Sequence, residues 1–325
     1  MTMQYLFFGI VTLLTLFYHN TEWFNTLAVT FTSVVLEAIP FVLFGALIGG
    51  VVEQFISRDW VVRILPKRGW MTTLVGGGLG LIFPICECGI VPIVRRFIGK
   101  GVPLGASVAY LLGGPIVNPL VAASTAVAYD GDWFIVALRL GFGYVIAVTT
   151  GFIINKMFAG QPVVLDAPNE TADCGCADGC TTEIPERKFG GKVRDSLKTA
   201  ADDFFDIGRY LIMGAFLAAL FQTLISRQAV ATELLANESF AIAIMMGLAV
   251  ALNLCSEADA FVAASFAAIA IPLTAQMAFM VLGPMLDMKL LLMLSTLFTR
   301  RLIVVISLST LILVFLSMTL LRILL

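Results

Sequence analysis

Charge is scarce in this sequence: 13% of its 325 residues are Asp, Glu, Lys or Arg, and the formal net charge is −2. No basic surface segment points to nucleic acid, so that class of partner is set aside. No Gly-x4-Gly-Lys-Ser/Thr motif occurs, so any energy coupling must come from an ion gradient or from a separate ATPase. The first 18 residues lack a basic leader and a small-residue cleavage site, which favours an uncleaved helix over a signal peptide. The six cysteines do not form the framework of a disulfide-stapled secreted domain. Cys86, Cys88 and Cys255 sit in apolar segments, whereas Cys174, Cys176 and Cys180 share one polar loop.

Apolar length is what the chain has in abundance. Hydrophobic residues make up 59% of the sequence, and mean hydropathy is +0.98. Several runs exceed the roughly 20 residues that carry a helix across about 30 Å of hydrocarbon. Helices satisfy their own backbone there, so the expected fold class is an all-α polytopic membrane protein in contact with lipid. A first helix is expected at 3–18 and a second at 26–56, with Glu37 inside it as a buried paired acid or a pathway group.

Segment 70–98 decides the topology. Its 29 residues would measure roughly 43 Å as one helix, but Pro84–Gly89 and Pro92 interrupt it. Arg58, Arg63, Lys67 and Arg68 precede it, and Arg95, Arg96 and Lys100 follow. Basic flanks favour the cytoplasm, so both ends on one side predict a re-entrant hairpin with Cys86-Glu87-Cys88 at its tip. A single long tilted span is the alternative. Residues 102–129 then cross outward with a break at 113–119, and 133–156 return. The linker's basic second half is expected to lie on the membrane surface as a helix. Segments 204–225, 240–265, 270–295 and 302–321 complete the chain, and the N-terminus falls in the cytoplasm. Arg227 and Arg322, on the outer side in this scheme, run against it.

The two halves register at one separation, 255 − 86 = 169. Gly45-Ala46 falls on Gly214-Ala215, Pro103-Leu104 on Pro272-Leu273, Gly114-Pro115 on Gly283-Pro284, Asn118 on Asp287, and Glu37 on Asp206. Such matching indicates internal duplication. Three crossings per half make the second copy inverted, an arrangement with broken helices that secondary transporters use. The expected division is an extra helix at 1–25, repeat one at 26–157, a cytoplasmic linker at 158–195 and repeat two at 196–325.

Breaks at 84–89, 113–119, 253–259 and 283–287 would expose backbone polar groups and line a shared chamber. Its candidate transport residues are Cys86, Glu87, Cys88, Pro115, Asn118, Asn253, Cys255, Glu257, Asp259, Pro284 and Asp287. Thiolates with carboxylates suit a soft or borderline cation such as Zn2+ or a thiophilic metalloid, and Cys86, Cys88, Cys255 and Glu257 are the expected ligands. Cys174, Cys176 and Cys180 would form a second, loop-borne metal site, or else belong to a disordered linker whose thiols are incidental or redox-active. The ion would be cargo or loop ligand, and no cofactor is required. A proton is a plausible coupling ion, exchanged at Glu257, Asp259 or Asp287. Plainer roles stand beside these. Glu87 pairs with Arg95 or Arg96 across the hairpin, and Asn118 and Asp287 simply cap half-helices.

Pro84-Ile85-Cys86-Glu87-Cys88-Gly89-Ile90-Val91-Pro92, with Gly101-Val102-Pro103-Leu104-Gly105-Ala106 and Gly114-Pro115-Ile116-Val117-Asn118-Pro119, resembles the predicted permease family formerly called DUF318. That family includes the YraQ-like proteins and the ArsP organoarsenical efflux permeases. The resemblance implies a multi-pass exporter in a bacterial inner membrane. The family motif commonly reads Cys-Ser-Cys-Gly, so Glu87 stands where the serine would be and makes a metal cation more attractive as cargo. A thiol–disulfide relay between Cys86 and Cys255 is the rival reading. A metal-sensing membrane anchor is a third, and a second copy or a small accessory protein is a candidate partner.

Overall fold

The computed structural model describes residues 21–55, 69–158, 189–224, 238–267 and 271–324. The expected helix at 3–18 and the Cys174–Cys180 loop lie outside them. The described residues form twelve α-helices and no strand. The first six are α1 (Glu22–Phe55), α2 (Gly69–Gly78), α3 (Glu87–Gly99), α4 (Leu104–Gly113), α5 (Pro119–Ala128) and α6 (Trp133–Met157). The second six are α7 (Phe189–Leu224), α8 (Glu238–Leu252), α9 (Ala258–Ala267), α10 (Leu273–Leu282), α11 (Met288–Leu294) and α12 (Arg300–Leu324). The chain is an all-α membrane protein, and α1, α6 and α12 are each long and apolar enough to cross a bilayer alone. The outer face of α12 shows why: Val304, Leu308, Ile312, Leu316 and Leu320, four apart, are all exposed and apolar.

The 169-residue register holds element by element. Helices α4 and α10 start and stop at equivalent positions. Pro103 and Pro272 open α4 and α10 with nearly identical backbone angles (φ −55°, ψ 140° and φ −55°, ψ 143°). Asn118 and Asp287 cap α5 and α11 by accepting from Leu120 N at 2.9 Å and Leu290 N at 2.6 Å. The basic half of the linker that is described belongs to α7, one continuous helix that crosses the expected boundary at 195/196.

Contacts along α6 show how the short helices are arranged. Gly105 lies against Gly151 and Asn155, Gly113 against Ala147, and Gly143 against Ile116, while Arg139 bonds Thr125. Thus α6 runs antiparallel to α4 and α5 in turn, and those two are halves of one interrupted span. Proline explains the interruption, since Pro115 has no N–H to give and crowds the preceding turn.

Helix α2 runs parallel to α4, with Gly76 against Ala106 and Gly80 against Gly114 and Val117. Helix α3 runs the other way: Phe97 meets Tyr110 (ring centroids 5.8 Å apart), and Ile90 meets Gly114. The chain therefore reverses at residues 82–86, as the basic flanks predicted. The second half repeats the fold-back. Thr274 donates to Glu238 at 2.9 Å and Ala249 faces Gly283, so α8 is parallel to α10. Phe266 pairs with Phe279 and Asp259 faces Gly283, so α9 is antiparallel to it. Asn253, at φ +53°, takes the left-handed turn that ends α8, a conformation Asn tolerates better than most residues.

The halves meet along α1 and α7, which pack antiparallel: Phe31 against Phe216 at one end, Gly50 against Ser196 at the other. Helix α1 also docks on α3 so closely that a Cβ on Gly45 would fall on the Gly89 backbone. Gly214, equivalent to Gly45, instead meets Lys289 of α11.

Candidate functional site

The two reversals bring non-helical backbone from both halves to one cavity of about 300 Å3. The first tip contributes Cys86, Glu87 and Cys88; the second contributes Asn253, Leu254, Cys255 and Ala258. Helix α1 adds Val29, Thr30, Ser33, Val34, Glu37 and Ala38, and Gln222 and Lys289 complete the wall. Cys86, Glu87, Cys88, Asn253 and Lys289 are buried, while Val29, Ser33 and Glu37 on the rim are exposed. Cys255 is half-buried beside Glu37. The Gln222 amide reaches the Leu252 carbonyl, tying α7 to the end of α8.

Glu87 is held across the interface between halves. Lys289 Nζ donates to Glu87 Oε1 at 3.1 Å and lies 3.5 Å from Asp287 Oδ2. The Asn253 amide, turned to donate, reaches Asp287 Oδ2 at 2.6 Å. Cys88 Sγ is 4.0 Å from Glu87 Oε1, and Glu87 Oε2 is buried without a partner. The expected pairing of Glu87 with Arg95 or Arg96 is corrected here. Arg96 forks onto Asp203 of α7 (Nη2 to Oδ1 3.0 Å and to Oδ2 2.9 Å), with Arg95 3.9 Å from the same carboxylate. Both arginines lie a turn or more beyond the tip, at the level of α7, and Lys289 is the base that reaches Glu87.

Other expected chamber residues go elsewhere. Asp259 sits behind the second tip, 2.6 Å from Arg139 Nη2, and does not line the cavity. Arg139 also donates to Thr125 Oγ1 and to the Ser256 carbonyl, both at 2.8 Å. Glu257 is half-buried, accepts from Ser256 Oγ at 3.2 Å, and does not line the cavity either. Pro115 and Pro284 are buried in the breaks after α4 and α10, and Asn118 and Asp287 act as caps. Arg139, Lys289 and Asp203 escaped the sequence reading. Arg139 and Lys289 carried a usable signal, since a lone base inside an apolar run asks for a partner. Arg322, which ran against the charge rule, is paired with Glu238 at 2.9 Å.

Among the described residues no group of three or more His, Cys, Asp or Glu side chains is arranged to hold a metal ion. The cavity thus offers two buried thiols, a half-buried one and an incompletely satisfied carboxylate, spread around its wall rather than gathered at one point.

A family model described as a predicted permease matches residues 23–323. The Bacillus subtilis UPF0718 protein YcgR is 39% identical over 274 residues, 83% of this chain and 88% of that protein. A Streptococcus mutans protein, described as a putative subunit of a two-component membrane permease complex, is 37% identical over 273 residues, 84% and 87% of the two chains. The Escherichia coli UPF0718 protein YraQ is 26% identical over 129 residues, 38% of this chain and 37% of its own. No solved structure matches the chain.

Proposed function

We propose, on the premise that this chain belongs to the predicted permease family, that it is a secondary transporter exporting a thiophilic cation or metalloid by alternating access. The observation that carries the reading is the meeting of two reversals, one from each half, at a cavity walled by Cys86, Cys88 and Cys255. Irregular backbone is tolerable at membrane depth where it lines such a cavity. An inverted repeat is favoured by the antiparallel packing of the equivalent helices α1 and α7.

Asymmetry between equivalent contacts supports the alternation. On one side α1 seals against α3 and Arg96 clasps Asp203; on the other, α7 leaves α9 and the cavity rim is exposed. Arg95, Arg96, Lys100, Arg194 and Lys198 lie on the sealed side, and positive residues favour the cytoplasm. The cavity then faces away from the cytoplasm of a bacterial inner membrane, as an exporter poised to release cargo would. The Cys174–Cys180 loop would collect the ion at the cytoplasmic mouth, and a proton is the proposed coupling ion. By analogy with the Streptococcus mutans relative, a second membrane subunit is a proposed partner.

The test is equilibrium binding of Zn2+ and, separately, trivalent arsenic to purified protein lacking the loop cysteines, against a Cys86→Ser, Cys88→Ser, Cys255→Ser variant. Stoichiometric binding that disappears in the variant is expected. A second reading, a transmembrane thiol relay, is favoured by Cys86 and Cys255 sharing one cavity. A reversible Cys86–Cys255 disulfide with no ion binding would replace the transporter reading by that one.

A further inference from the structure

Lys289 occupies an unusual position for a lysine. It lies in the first turn of α11, and its side chain is 4% exposed, while those of Glu87 and Asp287 are 2% and 0% exposed. An ammonium so placed is costly in apolar surroundings, and it persists because two carboxylates converge on it. The same Glu87 leaves Oε2 buried and unpartnered in the cavity wall, next to Cys86 and Cys88. One carboxylate oxygen is thus taken by the lysine, and the other is buried without a partner. Lysine differs from arginine in a way that matters: its charge is a compact point on a flexible four-carbon stem, free to swing aside without breaking a planar fork.

We propose that Lys289 is the internal counter-cation of the cavity, holding the place between Glu87 and Asp287 that a cationic cargo takes. This rests on the cavity being the cargo site. A metal cation held by Glu87 and the neighbouring thiols would stand beside the ammonium, and like charges at that range repel strongly in a poorly hydrated site. Cation and ammonium therefore exclude one another. Because Glu87 begins α3 in the first half and Lys289 lies on α11 in the second, the exchange also unties the first hairpin from the other half. Cargo binding and loosening of the interface become one event. A neutral thiophile such as arsenous acid has no reason to displace the ammonium, so Lys289 sorts cations from neutral cargo.

The experiment titrates full-length purified protein with Cd2+ and, separately, with neutral arsenous acid. Every sample carries Cys174→Ser, Cys176→Ser and Cys180→Ser. Lys289→Met should bind Cd2+ about tenfold more tightly or better, the scale of removing one like charge beside the ion. Arsenous acid affinity should stay within about threefold. Lys289→Arg should bind Cd2+ no better than the parent. An unchanged or weakened Cd2+ affinity in a folded Lys289→Met variant overturns the proposal. If that variant does not fold, the parent protein decides. Labelling of Lys289 by a small water-soluble amine reagent, read by mass spectrometry, should rise severalfold on adding Cd2+, and no rise overturns the proposal. Failure of the underlying reading looks different: Cd2+ binding by the parent that is absent, or indifferent to Cys86→Ser, Cys88→Ser and Cys255→Ser.

Discussion

Each of the two hairpins is tied by a carboxylate to a base from the other half, yet the two ties are built from different chemistry. Asp259 behind the second tip is held by Arg139, a guanidinium fork with three acceptors and no exposure. Glu87 at the first tip is held by Lys289, a single ammonium in the cavity wall, and each carboxylate leaves one buried oxygen, Glu87 Oε2 and Asp259 Oδ2, without a partner. The ties do not sit at equivalent positions: Asp259 matches Ile90 in the 169-residue register, and Lys289 matches Leu120. Both halves reverse in the same way, while one tie lies away from the cavity and the other in its wall.

The comparison breaks first, if at all, at Arg139. Arg139→Met leaves Asp259 buried without its base, and should cost about 3–5 kcal/mol. A large fall in the detergent unfolding midpoint is the readout. Lys289→Met should cost less, because the flexible ammonium makes one bond to Glu87 where the Arg139 guanidinium makes three bonds; equal losses would erase the distinction drawn between the ties.

The pairing of Arg96 with Asp203 sharpens the contrast between sealed and open sides. Equivalent positions on the open side, Ser265 and Val34, carry no charge. Asp203→Asn weakens a charged, buried hydrogen-bonding pair and should cost about 1.5–3 kcal/mol. It should also admit a water-soluble thiol reagent to Cys88 from the arginine side. Unchanged labelling would mean that the clasp closes nothing.

The two caps make a smaller test. Asn118→Ala removes one bond to Leu120 N and should cost about 1 kcal/mol. Asp287→Ala should exceed it, since Asp287 also faces Lys289 and Asn253. Thermal unfolding of the two variants, compared directly, gives the order. The smallest effect belongs to Asp206, the register partner of Glu37, which meets Arg209 at 2.7 Å on an exposed face. Asp206→Asn should change stability by about 0–0.5 kcal/mol, and a larger loss would move that pair from surface to function.

Pro84, Pro115 and Pro284 announced interruptions in the chain, because proline has no N–H to give to the preceding turn, whereas the break expected at Pro92 does not occur: that residue lies within the continuous helix α3. The basic residues flanking 70–98 announced the first reversal, since charge at a span end is read by the membrane and not by the fold. The site was less legible. Cys86, Glu87, Cys88, Asn253 and Cys255 do share one cavity, but Asp259 and Glu257 do not line it, and neither Lys289 nor Arg139 was anticipated. Asp259 lies four positions after Cys255, in the first turn of α9 beyond the irregular tip, and its carboxylate is directed behind the tip to Arg139.

The sequence by itself determined the membrane class, the 169-residue register between the two halves and the positions of the breaks at 84–89, 113–119, 253–259 and 283–287, because apolar length, repeated register and glycine–proline punctuation are local properties. Only the tertiary structure decided which base holds Glu87, which acid leaves the cavity, and that α1 docks on α3 while α7 does not dock on α9 in the same way. Two similar halves specify two similar interfaces. Which one packs closely depends on long-range contacts and on ion pairs spanning more than a hundred residues, and no local pattern encodes that choice.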